Sequence, residues 1–375
     1  MQNQQNQSNK SNKRKSCHIL RHGMCFFGQY ISSCCFSPVD QIDNQTPPLL
    51  CDLTGGESYS TDLLFERIEQ YEKQFSEGGC PRECANCYHI EEKDWSDDDK
   101  KGKYIDYITI THFTKCSANC IYCSNNNTLQ ERKNNTYKIV PILNDLKEKG
   151  LIKKHCELHI GGGEFTIYDE CDELLNSYAV NDFARVFVPT NAIKYSETLF
   201  QAMDKATTYI IVSLDCGSRK LYKRIKRVDA FDKVIENLTM YAKTKKSQDA
   251  IRLKYIILPT VNDSICEFKK FLRVAKKLKV QNLIIDIDAR YARMNNWKID
   301  DFYINLAKKM NNIAIKQGFI TEFYSFFFQC EKGTTVKTYN LIEDFIESLK
   351  FKYFNKDSEK IISLYKNEKV FFNSK

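Results

Sequence analysis

The sequence predicts an α/β protein: a partial (β/α)6 parallel barrel preceded by a cysteine-rich, metal-stapled extension. Three observations predict it. After Lys103, short β-branched or aromatic runs alternate six times with longer helical patterns, and strands separated by helices imply parallel pairing with right-handed crossovers. Six units are fewer than the eight of a closed barrel, so the barrel is open. The chain also carries 16 cysteines in 375 residues, eight of them between Cys17 and Cys87. That stretch has little apolar periodicity with which to bury a core of its own, so a metal staple is expected there. Finally, 42% hydrophobic and 28% charged residues describe an ordinary globular chain, too apolar for wholesale disorder.

The elements follow in order. Residues 1–16 are polar, rich in Gln, Asn and Lys, and read as a disordered tail. Residues 17–103 form the cysteine-rich segment, with one helical stretch near Thr61–Phe75. They end in EEKDWSDDDKKGK, a charged run that reads as an exposed linker. Residues 104–318 are the barrel. Its strands are predicted at Tyr104–Thr111, Glu157–Ile160, Arg185–Pro189, Tyr209–Leu214, Ile251–Leu258 and Leu283–Asp288. The helices are predicted near Ile139–Lys149, Asp169–Tyr178, Ser196–Ala206, Asp229–Lys243, Ser264–Lys277 and Asp300–Gln317. Residues 319–375 form a C-terminal extension, with FITEFYSFFF as a buried edge strand and Leu341–Phe354 as a helix.

Composition narrows the function classes. A formal charge of +8 permits an acidic partner without demanding nucleic acid, which is not expected as a partner. No apolar run reaches the ~18–20 residues needed to span a bilayer, and the first sixteen residues lack the apolar stretch of a signal peptide. A cytoplasmic location without membrane partners is therefore expected, and in a reducing compartment clustered thiols bind metal rather than one another.

Functional groups of parallel α/β folds gather at the carboxyl ends of the strands, so the loop after the first barrel strand carries weight. There Cys116, Cys120 and Cys123 stand in C-x3-C-x2-C spacing, with Tyr122 before the last. Three thiolates on a cubane leave one iron without a protein ligand; a three-cysteine zinc knuckle is the competing reading. The second strand ends in LHIGGGEFT, whose glycines admit a close backbone approach and whose Glu164 offers an acceptor to an ammonium group. Together these motifs resemble the radical S-adenosylmethionine (radical SAM) superfamily. The resemblance implies a [4Fe-4S] cluster on Cys116, Cys120 and Cys123 whose open iron is chelated by the amino and carboxylate groups of S-adenosylmethionine. It places Tyr122 beside the adenine, and Gly162, Gly163 and Glu164 at the methionine amino group. The proline that usually follows the GGE motif is replaced by Phe165.

Later strand ends extend the resemblance. The third reads VFVPTNA, with Asn191 where the family often places a polar residue near the cofactor. The fourth reads YIIVSLDCGSRKLYKRIKRVDAFDKVIENL, similar to members that modify peptides and to those near sugar-biosynthesis genes. Ser213 and Asp215 are expected at the barrel mouth, with Lys226 or Arg227 as a carboxylate partner. After the fifth strand, Asn262 is a candidate for the adenine or ribose edge. Cys216 stands where relatives commonly carry glycine; it reads either as a hydrogen-atom donor or, more simply, as a small side chain in a tight turn.

The same C-x3-C-x2-C spacing occurs earlier at Cys80, Cys84 and Cys87 (CPRECANC), after a Gly-Gly turn and ahead of the barrel. It is assigned to an auxiliary centre, a second [4Fe-4S] cluster or zinc, completed from the Cys17–Cys51 segment by Cys34 or Cys35, with Cys35 preferred. This resembles the SPASM or twitch auxiliary modules of some radical SAM enzymes, although those usually follow the barrel. His18 and His22, at i and i+4, read as exposed histidines rather than ligands; Cys156, Cys171 and Cys266 read as isolated thiols, and Cys330 as a stray one.

The family resemblance implies an enzyme in which a reduced cluster passes one electron to the chelated sulfonium. Methionine and a 5′-deoxyadenosyl radical result, and the radical removes a hydrogen atom from a substrate. An electron donor such as flavodoxin or ferredoxin is implied, with a peptide favoured over a saccharide or other metabolite as substrate. Two rival readings are a non-catalytic cysteine-rich zinc or iron–sulfur module, associated with RNA, and an electron-transfer protein. Neither explains GGGE at the second strand, Tyr122 or SLD at the fourth.

Overall fold

The structure is a computed structural model. It describes residues 13–28, 30–34, 47–53, 59–85, 87, 90–123, 137–177, 180–205, 207–244, 250–288, 290–291 and 299–323. The expected helix Leu341–Phe354 and the cysteines Cys35 and Cys330 lie outside the described residues. The chain divides into two compact units. One comprises Met1–Phe113, Asn134–Ile160 and Asn176–Val186, and the other Thr114–Lys133, Gly161–Leu175 and Phe187–Lys375. No helix among the described residues is long and apolar enough to cross a membrane.

The first unit contains β1 (Lys13–Ser16), α1 (His18–His22), β2 (Gly23–Phe27), β3 (Tyr30–Ser32), β4 (Leu49–Asp52), α2 (Thr61–Ser76), β5 (Glu91–Asp94), α3 (Ser96–Asp99), β6 (Ile105–Ile110), α4 (Val140–Glu148) and β7 (Ile152–Ile160). The first predicted barrel strand is β6, which pairs in parallel with both β7 and β2. β3 and β4 continue from β2 in antiparallel fashion. These three N-terminal strands were not expected. Their alternation is masked because several inward positions are cysteines: Cys25 and Cys51 are buried beside Phe26, Ile31 and Leu50 as core residues. Gly23 joins α1 to β2 where nothing larger fits, since a Cβ there would lie 2.5 Å from the Ile19 carbonyl oxygen and 2.6 Å from that of Ser33. β7 begins five residues earlier than predicted, because its exposed Lys154 and His155 hide a strand whose later residues Cys156, Leu158 and Ile160 are buried.

Three further readings of this region are corrected. Lys13–Ser16 is not part of a disordered tail but pairs antiparallel with β5. The run after Glu91 is not an exposed linker: it supplies β5 and α3, with Trp95 only 1% exposed between them. The charges there are spent on ion pairs. Arg14 reaches Glu72 at 3.2 Å and Asp99 at 2.7 Å, and Arg21 reaches Glu72 at 2.6 Å and Asp98 at 3.2 Å. The Trp95 indole N–H donates to the Arg14 carbonyl at 3.0 Å, so a buried ring is satisfied by backbone. His22 is not exposed either. It is buried, stacked on Tyr104, with Nε2 2.9 Å from Asp98 Oδ2 and Nδ1 3.2 Å from the Tyr104 carbonyl oxygen.

The second unit contains β9 (Thr208–Ser213), α7 (Arg219–Lys226), α8 (Phe231–Tyr241), β10 (Ile251–Ile257), α9 (Ile265–Lys277), β11 (Asn282–Ile287), α10 (Asp301–Lys316) and β12 (Ile320–Phe323), together with the carboxyl end of β8 (Arg185–Pro189) and α6 (Glu197–Asp204). β9, β10, β11 and β12 are mutually parallel neighbours, so the protein is α/β with a mostly parallel sheet, as the alternation predicts. Six strands, β6 to β11, are each followed by a helix, α5 (Cys171–Asn176) standing after β7. β12 occupies the start of FITEFYSFFF and pairs with β11 from Ile320 to Phe323. All of NLIIDI in β11 is buried, the pattern of a strand covered on both faces; Asp286 is tolerated there because Lys254 Nζ lies 2.7 Å away. Three helices begin where capping residues predict. Ser196, Ser264 and Asp300 accept from the backbone N–H of Leu199, Glu267 and Phe302 respectively. α7 was not predicted as a separate helix, since RKLYKRIK offers only Tyr222 and Ile225 as a buried apolar stripe.

The Asp98 network gives a pH-dependent prediction. Burial alone would raise the Asp98 carboxyl, but the His22 hydrogen bond and the charges of His22 and Arg21 outweigh it and hold it at about 2. A carboxyl depressed in the folded state contributes stability above its unfolded value near 3.9, and that contribution is lost as pH falls through about 2. Asp98→Asn is therefore expected to lower stability by about 2 kcal/mol at neutral pH, with the difference from the parent shrinking below pH ~4. Urea unfolding at a series of pH values checks this; a difference independent of pH would refute it.

Candidate active site

Every candidate barrel-site residue lies in the second unit, so their mutual geometry can be read directly. The cysteine loop is fixed at both ends by backbone. At its start, Glu164 N donates to the Lys115 carbonyl at 2.8 Å. Gly163 makes this approach feasible, because a Cβ there would fall 2.2 Å from the Lys115 carbonyl oxygen, and Gly162 before it turns with φ +87°. Further along, Asn119 N donates to the Lys226 carbonyl at 3.0 Å and Ile121 N to the Ile225 carbonyl at 2.9 Å, anchoring the loop to the end of α7. Cys116, Cys120 and Cys123 are all partly accessible.

Glu164 is the best-held carboxylate of the site, at 2% exposure. Its Oε1 accepts from the Thr166 hydroxyl at 2.6 Å, the Thr190 hydroxyl at 2.6 Å and Thr166 N at 3.1 Å, while Oε2 accepts from Asn191 N at 2.6 Å. The less heavily engaged Oε2 is the oxygen better placed to accept from an ammonium group. Asn191 carries the contact onward: its Nδ2 lies 3.6 Å from Cys116 Sγ and 3.0 Å from Ser117 Oγ. One residue thus joins the carboxylate loop to Cys116, with its backbone N–H on Glu164 and its side chain on the sulfur. Thr166 and Thr190 were missed by sequence reasoning; the only signal was a threonine two residues after Glu164 and another just before Asn191.

Beneath the cysteines lies a buried polar knot. Asp215 is fully buried and Lys226 only 2% exposed. Lys226 Nζ pairs with Asp215 Oδ2 and also donates to the Tyr122 hydroxyl, which donates to Asp215 Oδ2 at 2.7 Å. Ser213 hydrogen-bonds Tyr122 as well. Burial would discharge the Lys226 ammonium, but the charges of Asp215 and then Cys120 outweigh it and raise its pKa. Burial raises the Cys120 thiol, and Lys226 pulls it back toward thiolate. Burial, followed by the Asp215 charge, raises the Tyr122 phenol well above its ordinary value, so that ring presents a neutral hydroxyl anchored downward.

The remaining candidates meet different outcomes. Asn262 is buried with its amide consumed: Oδ1 accepts from Leu258 N at 2.7 Å, and Nδ2 donates to the Asp215 and Ile256 carbonyls at 2.8 Å each. It braces the carboxyl ends of β9 and β10 rather than presenting an edge to adenine. Of the two expected carboxylate partners, Lys226 pairs with Asp215, while Arg227 is exposed at the left-handed end of α7, φ +54°. The Cys216 thiol is fully buried, 3.5 Å from the Leu214 carbonyl oxygen, and burial pushes it up to about 12. A hydrogen-atom donor must reach its substrate; the placement is that of a small side chain in a tight turn.

The second cysteine triplet belongs to the first unit. A 3-10 turn, Arg82–Cys84, carries it: Cys84 N donates to the Pro81 carbonyl at 2.9 Å and Cys87 N to the Cys84 carbonyl at 3.0 Å. Cys80 is exposed, Cys87 half-buried and Cys84 buried.

The Lys226–Asp215 pair supports a stability prediction. Lys226→Met leaves a carboxylate buried without its cation and is expected to cost about 3–5 kcal/mol. Adding Asp215→Asn should recover a large part of that loss. Denaturant unfolding of the two variants measures the coupling; equal costs for the single and double variants would mean the pair is not coupled.

Residues 110–274 match the family model of the Radical SAM superfamily. The chain is 22% identical over 191 residues to a GTP 3′,8-cyclase of Clostridium botulinum, covering 50% of this chain and 58% of that protein. It is 26% identical over 212 residues to a probable GTP 3′,8-cyclase of Pyrococcus abyssi, covering 56% and 65%. Among solved structures, Streptococcus suis SuiB bound to its precursor peptide SuiA is similar at a TM-score of 0.47 and 15% identity, covering 72% of this chain and 57% of SuiB. The chain thus spans less than two thirds of the length of these proteins. Residues 110–274, less than half of the chain, are thus similar to the radical SAM superfamily.

Proposed function

We propose that this protein is a radical SAM enzyme that cleaves S-adenosylmethionine reductively and uses the product radical to abstract a hydrogen atom from a substrate. The observation that carries the reading is the bridge made by Asn191, whose backbone N–H holds Glu164 Oε2 while its side chain touches Cys116 Sγ. A carboxylate for the methionine ammonium and a thiolate for the cluster are thereby held by one residue.

The donor set fits the cofactors. Three thiols share one short loop, a carboxylate is pre-oriented by two threonine hydroxyls and two backbone N–H groups, and an ammonium lies among the charges acting on Cys120. Cys116, Cys120 and Cys123 would hold a [4Fe-4S] cluster, and Gly162, Gly163 and Glu164 the methionine end of S-adenosylmethionine. Once bound, the two together supply one-electron cleavage of a carbon–sulfur bond. The protein's own share is positional. Gly163 brings the Glu164 loop against the cysteine loop, Thr166 and Thr190 fix the carboxylate rotamer, and Lys226 offsets negative charge beside Cys120. Tyr122 sits between Cys120 and Cys123 in sequence with its hydroxyl donated to Asp215 Oδ2, and its ring is the candidate contact for adenine.

An electron donor of the flavodoxin or ferredoxin kind is required by this chemistry. For the substrate, a peptide is the class favoured by the auxiliary-centre resemblance, and the activity for which the similar cyclases are named makes GTP the rival. Protein reconstituted anaerobically with iron and sulfide, then given dithionite and S-adenosylmethionine, is expected to release 5′-deoxyadenosine and methionine. Cys120→Ala should abolish release, Cys84→Ala should spare or only weaken it, and Glu164→Gln should weaken S-adenosylmethionine binding at least about tenfold through loss of a charged hydrogen bond. Absence of 5′-deoxyadenosine from protein shown by iron and sulfide analysis to be loaded would favour the non-catalytic metal-binding reading. A several-fold rise in 5′-deoxyadenosine on adding GTP would move the substrate class from peptide to nucleotide.

A further inference from the structure

The sequence offers Cys34 or Cys35 as fourth donor to the auxiliary triplet, and the first unit brings a different cysteine to it. Cys17 lies between β1 and α1, far from CPRECANC in sequence. Cys17 at 6% exposure and Cys84 at 8% nevertheless pack into one buried cluster with Leu20 and Phe75, bordered by Ile19, Tyr71 and Ile90. Cys80 and Cys87 flank Cys84 across the same turn. Two distant segments thus bring Cys17 to the turn that carries the triplet, beside Phe75 at the end of α2.

The local physics favours a metal there over plain packing. A bound cation deprotonates coordinating thiols outright, so a metal suits sulfur donors gathered about one turn. Among the described residues around Cys84 the regular structure is a three-residue 3-10 turn, yet Cys84 is buried, a combination that calls for a local staple.

We propose that Cys17 is the fourth thiolate of the auxiliary centre, closing with Cys80, Cys84 and Cys87 a four-sulfur metal site. The proposal rests on the auxiliary-centre reading and replaces Cys35, which lies outside the described residues, as the completing ligand. Four protein sulfurs leave no coordination position for S-adenosylmethionine, in contrast with the three-cysteine loop of the other unit. The set therefore suits a structural staple or an electron relay.

The test uses full-length protein in which Cys116, Cys120 and Cys123 are all replaced by alanine, so that bound metal reports on the first unit. Iron, acid-labile sulfide and zinc are counted after anaerobic reconstitution and passage through a mild chelator. One centre per chain is expected in this background. Cys17→Ser and Cys84→Ser should each cut bound metal at least about tenfold, as even loss of an outer-shell partner weakens metal sites about 10–100-fold. Leu20→Ala opens the same apolar pocket without removing a sulfur and should retain the metal, which separates lost ligation from lost packing. Should Cys17→Ser fail to fold, alkylation mapping of the unmodified background serves instead: Cys17 and Cys84 should become reactive together when the metal is stripped. Full metal retention by Cys17→Ser, or Cys17 staying unreactive while Cys84 is exposed by stripping, overturns the Cys17 assignment alone. A background without any bound metal overturns the auxiliary centre itself.

Discussion

The buried ammonium of Lys226 is the group on which the second unit's chemistry depends. It lies with Asp215 in a fully enclosed position, an arrangement that costs desolvation and is sustained by hydrogen bonds to both the carboxylate and the Tyr122 phenol. The carboxylate is tied in turn to Ile256 N at 2.8 Å, and the backbone of the lysine receives Asn119 N. One cation thus organises the ends of β9 and β10, the last turn of α7 and the middle of the cysteine loop. Asp215 itself is held at φ +62°, a left-handed conformation that an aspartate tolerates at modest cost and that aims its side chain inward.

Glu164 illustrates a different means to the same end. Among the described residues no cation pairs with it; neutral donors surround it, and two of them are threonine hydroxyls that can rotate toward it. The two carboxylates are therefore held differently: Asp215 is paired with a lysine, and Glu164 is held by hydroxyls and backbone N–H groups.

How much of this was legible in the sequence depends on how local each signal was. The six β/α units were legible because buried parallel strands read as apolar runs and because Ser196, Ser264 and Asp300 announce their helices. The cysteine loop and the GGE turn were legible because their chemistry is written in contiguous residues. The N-terminal strands were not, since cysteines used as core residues look like ligands in a cysteine-rich stretch. Nor was the burial of Trp95 and His22, which depends on arginines at positions 14 and 21 meeting carboxylates at 72, 98 and 99. Asn262 and Lys226 were singled out as polar residues at strand and helix ends, but only three dimensions reveal that each is spent on Asp215 and its neighbours.

The contact between Gly163 and the Lys115 carbonyl has a consequence for how this region can vary. The space that a methyl group would need is occupied by another segment's main chain, which cannot rotate aside as a long side chain would. The two loops are therefore a single mechanical part, although they lie far apart along the polypeptide. Transplanting one of them into a related scaffold without the other would carry its residues across while losing the fit that aligns them.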